Sequence, residues 1–284
     1  MSEPREPEPT AVENVELRYG VATDVGLVRE VNEDSYVTAP PVFVVADGMG
    51  GHDGGDIASR FVAEEFVRLA DAGYDPRRGR DAVLATLSAC QRRLLGYGAT
   101  HRGSDGGPWQ GGTTTVVVML VEDDHGPRWL MTNLGDSRIY RFTEGELLRV
   151  STDHSVVQDM VDAGWLTEEQ AMSHPERHIV TRALGGPDPL EPDFFDVPLA
   201  DAQRVLLCSD GVTDLVRDRD LAPILAEYED PGDAARHVVE TALAAGGVDN
   251  ATALVVDVVG WGDERDHDSG SERSSLHEKL GALP

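Results

Sequence analysis

Apolar residues in this chain fall into two rhythms. Short runs that alternate or stay continuously apolar, bounded by glycine or charge, predict strands. They lie at Leu17–Thr23, Ser35–Thr38, Val42–Ala46, Thr113–Val121, Arg128–Asn133, Ser137–Phe142, Glu146–Val150, Phe194–Pro198, Arg204–Cys208 and Ala251–Val258. Helical spacing occupies Gly55–Ala72, Arg80–Tyr97, Ser155–Ala163, Asp218–Glu227 and Asp233–Ala245. Strands that follow one another through short turns, such as Asp136-Ser137 and Glu144-Gly145, predict antiparallel pairing. The expected class is therefore α+β, layered, and not a doubly wound parallel sheet. Residues 151–192 interrupt this rhythm with short helical pieces and three histidines (His154, His174, His178), as an inserted subdomain would. Residues 1–16, rich in Pro and Glu, and residues 261–284 read as disordered tails, leaving 17–260 as one domain.

Three apolar runs end on the same note. VFVVA delivers Asp47-Gly48, RWLMTNL delivers Gly135-Asp136, and RVLLCS delivers Asp210-Gly211. A fourth pair, Asp249-Asn250, immediately precedes ATALVVDV. A single Asp-Gly is first of all a hairpin-turn signal. Four acids at the mouths of strands can instead meet at one rim of a sheet, with glycine allowing close backbone approach. Clustered carboxylates raise one another's pKa, and a hard divalent cation removes that penalty. All-oxygen ligation selects Mg²⁺, Mn²⁺ or Ca²⁺ over zinc. Arg29, upstream in REVNEDS, reads either as a surface ion pair or as a bidentate phosphate ligand. The glycine-rich segment 48–55 lacks the Lys-Ser/Thr end of a P-loop and fails the dinucleotide spacing, so it reads as an ordered loop carrying ligands.

Charge sharpens the picture. The 284 residues carry 24 basic and 52 acidic side chains, a net charge of −28. Such a field repels nucleic acid and anionic membranes, and most of these acids read as solvated surface. Binding a phosphate in that field requires cations among the carboxylates. No apolar run approaches the ~18 residues of a membrane span, and the first residues lack an apolar leader, so the expected location is cytoplasmic. The two cysteines, Cys90 and Cys208, read as reduced core thiols. Neither is followed six residues later by arginine, as a cysteine-phosphatase loop requires; Gly96 and Asp214 stand there.

Eight segments in order, VGLVREVNEDS, VVADGMGGHDGG, GGTTTVVV, NLGDSRIYR, STDHSVVQ, HIVTRALG, LLCSDGVTDLV and DNATALVV, resemble the type-2C metal-dependent serine/threonine protein phosphatases, in particular the bacterial members. The resemblance implies a four-layer α-β-β-α sandwich of two antiparallel sheets flanked by helices, with residues 151–192 as a flap. It implies two catalytic Mn²⁺ or Mg²⁺ ions activating a water that attacks phosphoserine or phosphothreonine in line. Asp47 would bridge the two ions, Asp210 and Asp249 would hold the first, and the Gly48 carbonyl the second. Asp136 and Asp214 would hold a third ion, while Glu33 and Asp34 would sit at or just outside the second. Arg29 matches the phosphate-binding arginine. Met49 stands where some members carry the histidine proposed as general acid, so that role is open, with His52 nearby read as ordering its loop. Implied partners are phosphorylated proteins, Ser/Thr kinases and their substrates, with no nucleic acid or membrane and a monomeric state. Alternatives are a phosphatase dedicated to a partner-switching, anti-anti-sigma-type regulator, and a non-catalytic phosphatase-like binding module.

Overall fold

The computed structural model describes residues 11–50, 54–103, 106–187 and 189–261. Two five-stranded antiparallel sheets face each other. The first runs β1 (Val15–Asp24), β12 (Ala251–Trp261), β11 (Arg204–Cys208), β8 (Arg138–Thr143), β9 (Glu146–Arg149) from edge to edge. The second runs β10 (Asp193–Pro198), β7 (Gly126–Leu134), β6 (Thr115–Asp123), β3 (Val42–Ala46), β2 (Ser35–Ala39). A two-stranded ribbon, β4 (Gly48–Met49) with β5 (Gly112–Thr113), leaves the second sheet at its rim.

The layers follow from which face each side chain takes. Phe43, Val45, Val116, Val118 and Leu120 meet Ile139, Val205, Leu207, Leu254 and Val256 between the sheets. Their neighbours Val42, Val44, Val117 and Met119 face the other way, onto helices α1 (Gly55–Ala72) and α2 (Gly79–Thr100). On the far side, Leu206, Cys208, Ala253 and Val255 lie under α6 (Asp218–Glu227) and α7 (Pro231–Ala244). Central strands buried on both faces read as unbroken apolar runs, which is why VFVVA shows no alternation. Each such Val or Leu contributes roughly 1.5–3 kcal/mol of transfer free energy. The expected four-layer α-β-β-α sandwich is the observed one.

Two expectations are corrected. Gly135-Asp136-Ser137 is not a hairpin: β7 and β8 belong to different sheets, and the chain steps from one to the other there. The hairpin reading holds at Glu144-Gly145, where both residues have positive φ (52° and 85°) and close β8 on β9. The folded body also begins before residue 17. Ala11–Asn14 form a 3-10 turn that buries Val12 against the inter-sheet core, and β1 starts at Val15. The rest of the tails expected at 1–16 and 261–284 falls on residues 1–10 and 262–284, outside the described residues. No described helix is long and apolar enough to cross a membrane.

Candidate metal centre

The sheet-to-sheet gap opens at one rim, and every acidic strand mouth arrives there. At the end of β3, the Asp47 amide donates to Thr114 Oγ1 (3.2 Å). Its carbonyl accepts from the Thr114 amide (2.9 Å) and Thr113 Oγ1 (2.8 Å). Gly48 then presses on the first turn of α1: a Cβ there would lie 2.2 Å from the Gly55 carbonyl oxygen. At the end of β11, Asp210 opens the one-turn helix α5 (Asp210–Thr213), and a Cβ on Gly211 would lie 1.9 Å from the Asn250 oxygen. Gly135, at φ 123°, packs on Thr114. The glycines beside the acids thus permit contact between strand ends, and only Gly135 needs the left-handed region.

The carboxylates converge. The Asp47 and Asp210 side chains lie within hydrogen-bonding reach of one another. Oxygens of Asp210 and Asp214 and a ring nitrogen of His178 all fall within 4.8 Å of each other. Asp34, Asp47 and Asp210 are half-buried on the cleft floor. Burial is the largest cause of every carboxylate shift here. It pushes Asp34 up to about 7, with Asp210 and Asp249 adding repulsion against the hydroxyls of Thr252 and Ser209. Burial, then Asp214, pushes Asp210 to about 6. Burial and the charges of Asp210 and Asp34 carry Asp47 well above the carboxylate range; burial and Asp210 do the same to Asp136. Asp214 is raised by burial against the pull of His178, Arg177 and Arg138.

This donor set fits divalent cations. Two carboxylates facing one another need a proton or a cation between them. Asp34 supplies an independent sign: its Oδ2 accepts from Ser209 Oγ (2.8 Å) and Thr252 Oγ1 (2.7 Å), while its Oδ1 is buried with no hydrogen-bond partner among the described residues. A buried lone carboxylate oxygen is costly unless a cation or ordered water meets it.

Arg29 reaches the same rim and ion-pairs with Asp249 (2.6 Å). The guanidinium is half-exposed; burial opposes its charge, but Asp249, Glu33 and Asp210 outweigh that and raise its pKa. The segment carrying it is clamped by Asn250, a residue the sequence reading left without a role. Asn250 Oδ1 accepts from the Glu33 amide (2.8 Å), and its Nδ2 donates to the carbonyls of Val25 (2.9 Å) and Val31 (3.0 Å). The Glu33 carboxyl group lies over Gly55, at the start of α1.

The flap contributes through three residues. His178 Nδ1 lies 3.0 Å from Asp214 Oδ2, so one of the three histidines noted at 151–192 does reach the acids. His154 is instead buried, accepting from the Gly135 amide (3.2 Å) and meeting Asp193 (3.2 Å), which pins the flap's root. Arg138 grips Asp153 with two nitrogens (3.0 and 2.7 Å). His52 lies outside the described residues. Met49 pairs in the ribbon with Gly112. Cys90 and Cys208 are buried, and burial pushes both thiols up to about 12, which removes them as nucleophiles at neutral pH.

Comparison with known proteins agrees with this geometry. Residues 30–245 match the family described as Protein phosphatase 2C. The chain is 37% identical over 246 residues to the serine/threonine protein phosphatase PstP of Mycobacterium tuberculosis, covering 86% of this chain but 46% of PstP. The chain therefore spans about half the length of that relative. The crystal structure of Staphylococcus aureus serine/threonine phosphatase Stp1 superposes with a TM-score of 0.79 at 28% identity, covering 91% of this chain and 100% of Stp1. The catalytic domain of PstP in complex with two manganese ions superposes at 0.71 and 33% identity, covering 87% and 99%.

Proposed function

Because the chain belongs to the protein phosphatase 2C family, we propose that it hydrolyses phosphoserine and phosphothreonine in proteins, reversing Ser/Thr kinases, with two Mn²⁺ or Mg²⁺ ions and a third at the flap. The observation that carries this reading is the facing pair Asp47–Asp210 on a cleft floor that also holds the unpartnered Asp34 Oδ1. PstP, the relative crystallised with two manganese ions, supports the same metal.

Asp47 would serve both catalytic ions, Asp210 and Asp249 would hold the first and the Gly48 carbonyl would hold the second. Asp136, Asp214 and, by its distance, His178 are the groups for the third. Bound there, paired divalent cations polarise phosphoryl oxygens and lower the pKa of water. The chain's own residues do the rest. Threonines 113 and 114 lock the Asp47 backbone, so its carboxylate does not reorganise as charge develops. Asp34, held by two hydroxyls, keeps one oxygen free to orient a water. Arg29, half-exposed at the same rim, would grip the substrate's phosphoryl oxygens through charge-assisted hydrogen bonds. None of these steps forms a covalent phosphoenzyme, in keeping with thiols that stay protonated.

The test is release of inorganic phosphate from a phosphothreonine peptide by the purified chain. Mn²⁺ should support turnover, exhaustive chelation should remove it, and added Mn²⁺ should restore it. Equal rates with and without chelator overturn the metal reading. Arg29→Ala should raise KM for the peptide about tenfold and change kcat less, since it removes one charge-assisted grip on phosphate. An unchanged KM and kcat would take Arg29 out of the site.

A further inference from the structure

The carboxylate cluster opens on one side into a cavity of about 470 Å³. One wall is the flap, with α3 (Val156–Asp162) and α4 (Glu168–Ala171); the other is α5 and the start of α6. Its charge pattern is unlike the rest of the molecule. Asp153 is held by Arg138 (2.7 Å) and Arg149 (3.7 Å), and Asp218 accepts from Tyr140 Oη (2.9 Å), so these acids are occupied. Asp136, Asp210 and Asp214 line the end at the candidate ions. What remains is Arg177 and Glu168, from the flap, and Arg217 and Arg219, at the start of α6.

Acids outnumber bases in this chain by 52 to 24, and most of its described arginines find a carboxylate. Among the described residues the guanidinium groups of Arg177 and Arg217 make no hydrogen bond and no close ion pair; the charge of Arg177 acts on Asp214 only from a distance. Two unpaired guanidinium groups on opposite walls of a groove that ends at a phosphate-processing centre are placed to receive anions from outside. Divalent ions held among Asp136, Asp210 and Asp214 would cancel the negative field at the inner end and leave the groove positive.

We propose that this groove binds the residues beside the phosphorylated one, and that Arg177 and Arg217 select substrates with anionic side chains there. The selected chemistry is a carboxylate or a second phosphoryl group. This inference rests on the phosphatase reading and names the substrate class for that same site.

The experiment compares phosphothreonine peptides of one length whose neighbours are acidic, neutral or basic, on both sides, plus a doubly phosphorylated version. The small ester p-nitrophenyl phosphate, too short to enter the groove, serves as control. With Mn²⁺, the wild-type protein should favour acidic over neutral neighbours by about tenfold in kcat/KM, expressed in KM. In the double variant Arg177→Glu/Arg217→Glu that preference should vanish or invert, while turnover of the small ester stays within twofold. Arg177→Lys/Arg217→Lys should keep part of it. The doubly phosphorylated and carboxylate peptides, run side by side, show which anion the groove prefers. A wild-type protein indifferent to neighbouring charge overturns the proposal outright, as does a preference that survives charge reversal. Failure of wild type on the small ester would instead refute the phosphatase reading itself.

Discussion

Asp47→Asn is expected to lower Mn²⁺-dependent phosphate release by at least ~10³-fold, while the metal-free protein melts higher than wild type. The two effects share one cause. Asp47 lies against Asp210 and near Asp34 and Asp136, and burial with those charges raises its pKa well above the carboxylate range. In the absence of cations the fold keeps this group only by holding a proton on it, which is a liability at neutral pH. Asparagine is neutral without that proton and keeps the shape and the backbone contacts to Thr113 and Thr114. Each kcal/mol of relief is worth about 2–4 °C in a domain of this size. What is lost is the group proposed to serve two ions at once; even outer contacts to a metal cost 10–100-fold when removed, and a direct ligand of both would cost more. Asp210→Asn should behave the same way. Thermal melts with and without Mn²⁺, beside a phosphopeptide assay, decide the matter. Near-wild-type turnover removes Asp47 from the centre, and a metal-free melt several degrees lower would show that the acid is structural. Stability traded for function at one residue is the general pattern of sites built from mutually repelling groups.

Much of this was legible in sequence because the signals are local. The continuous run VFVVA fixes a strand buried on both faces, and an acid directly after it must stand at the sheet's rim. Asp210 and Asp249 are legible for the same reason, at the end of β11 and the start of β12. What sequence pattern hides is pairing across distance. Asp-Gly reads as a hairpin, yet Gly48 enters the β4–β5 ribbon and Gly211 a helical turn, because what each glycine permits is close contact with another segment, the start of α1 for Gly48 and Asn250 for Gly211. Gly135-Asp136 joins different sheets, a fact about strand order and not about turn propensity. Asn250 looks like a turn residue, and its clamp on Glu33, Val25 and Val31 spans more than 200 positions. His178 sat among three histidines of equal standing, and only the folded flap separates it from His154, which is buried as a brace. Val12 was lost in a proline- and glutamate-rich stretch because one apolar residue gives no period to detect. The Ser209 and Thr252 hydroxyls behind Asp34 look like ordinary strand residues, since alternation reports burial and not hydrogen-bond partners.

The same cluster predicts how metal and pH exchange control of stability. In the folded, metal-free chain Asp34 is pushed to about 7 and Asp210 to about 6, whereas in the unfolded chain both ionise near the ordinary carboxylate value of about 4. The folded state therefore holds protons that the unfolded state gives up. Stability from these groups is fully present below pH ~4 and is lost as pH rises through about 6 and about 7. The loss amounts to a few kcal/mol at most, tempered by the solvent that touches the cleft floor. A divalent cation takes the place of the protons, so its binding releases them and strengthens as pH rises. Melting curves from pH 5 to 8 should show the metal-free Tm falling by roughly 3–8 °C from this cluster, while saturating Mn²⁺ adds little at pH 5 and most at pH 8. Asp34→Asn should flatten the metal-free curve between pH 6 and 8, because it removes the group that titrates last of the two. A metal-free Tm that rises across this range, or a Mn²⁺ shift that is as large at pH 5 as at pH 8, would mean that the carboxylates are not crowded together as the cleft floor places them. In that event the driving force for gathering cations, mutual repulsion relieved by charge, would have to come from elsewhere in the fold.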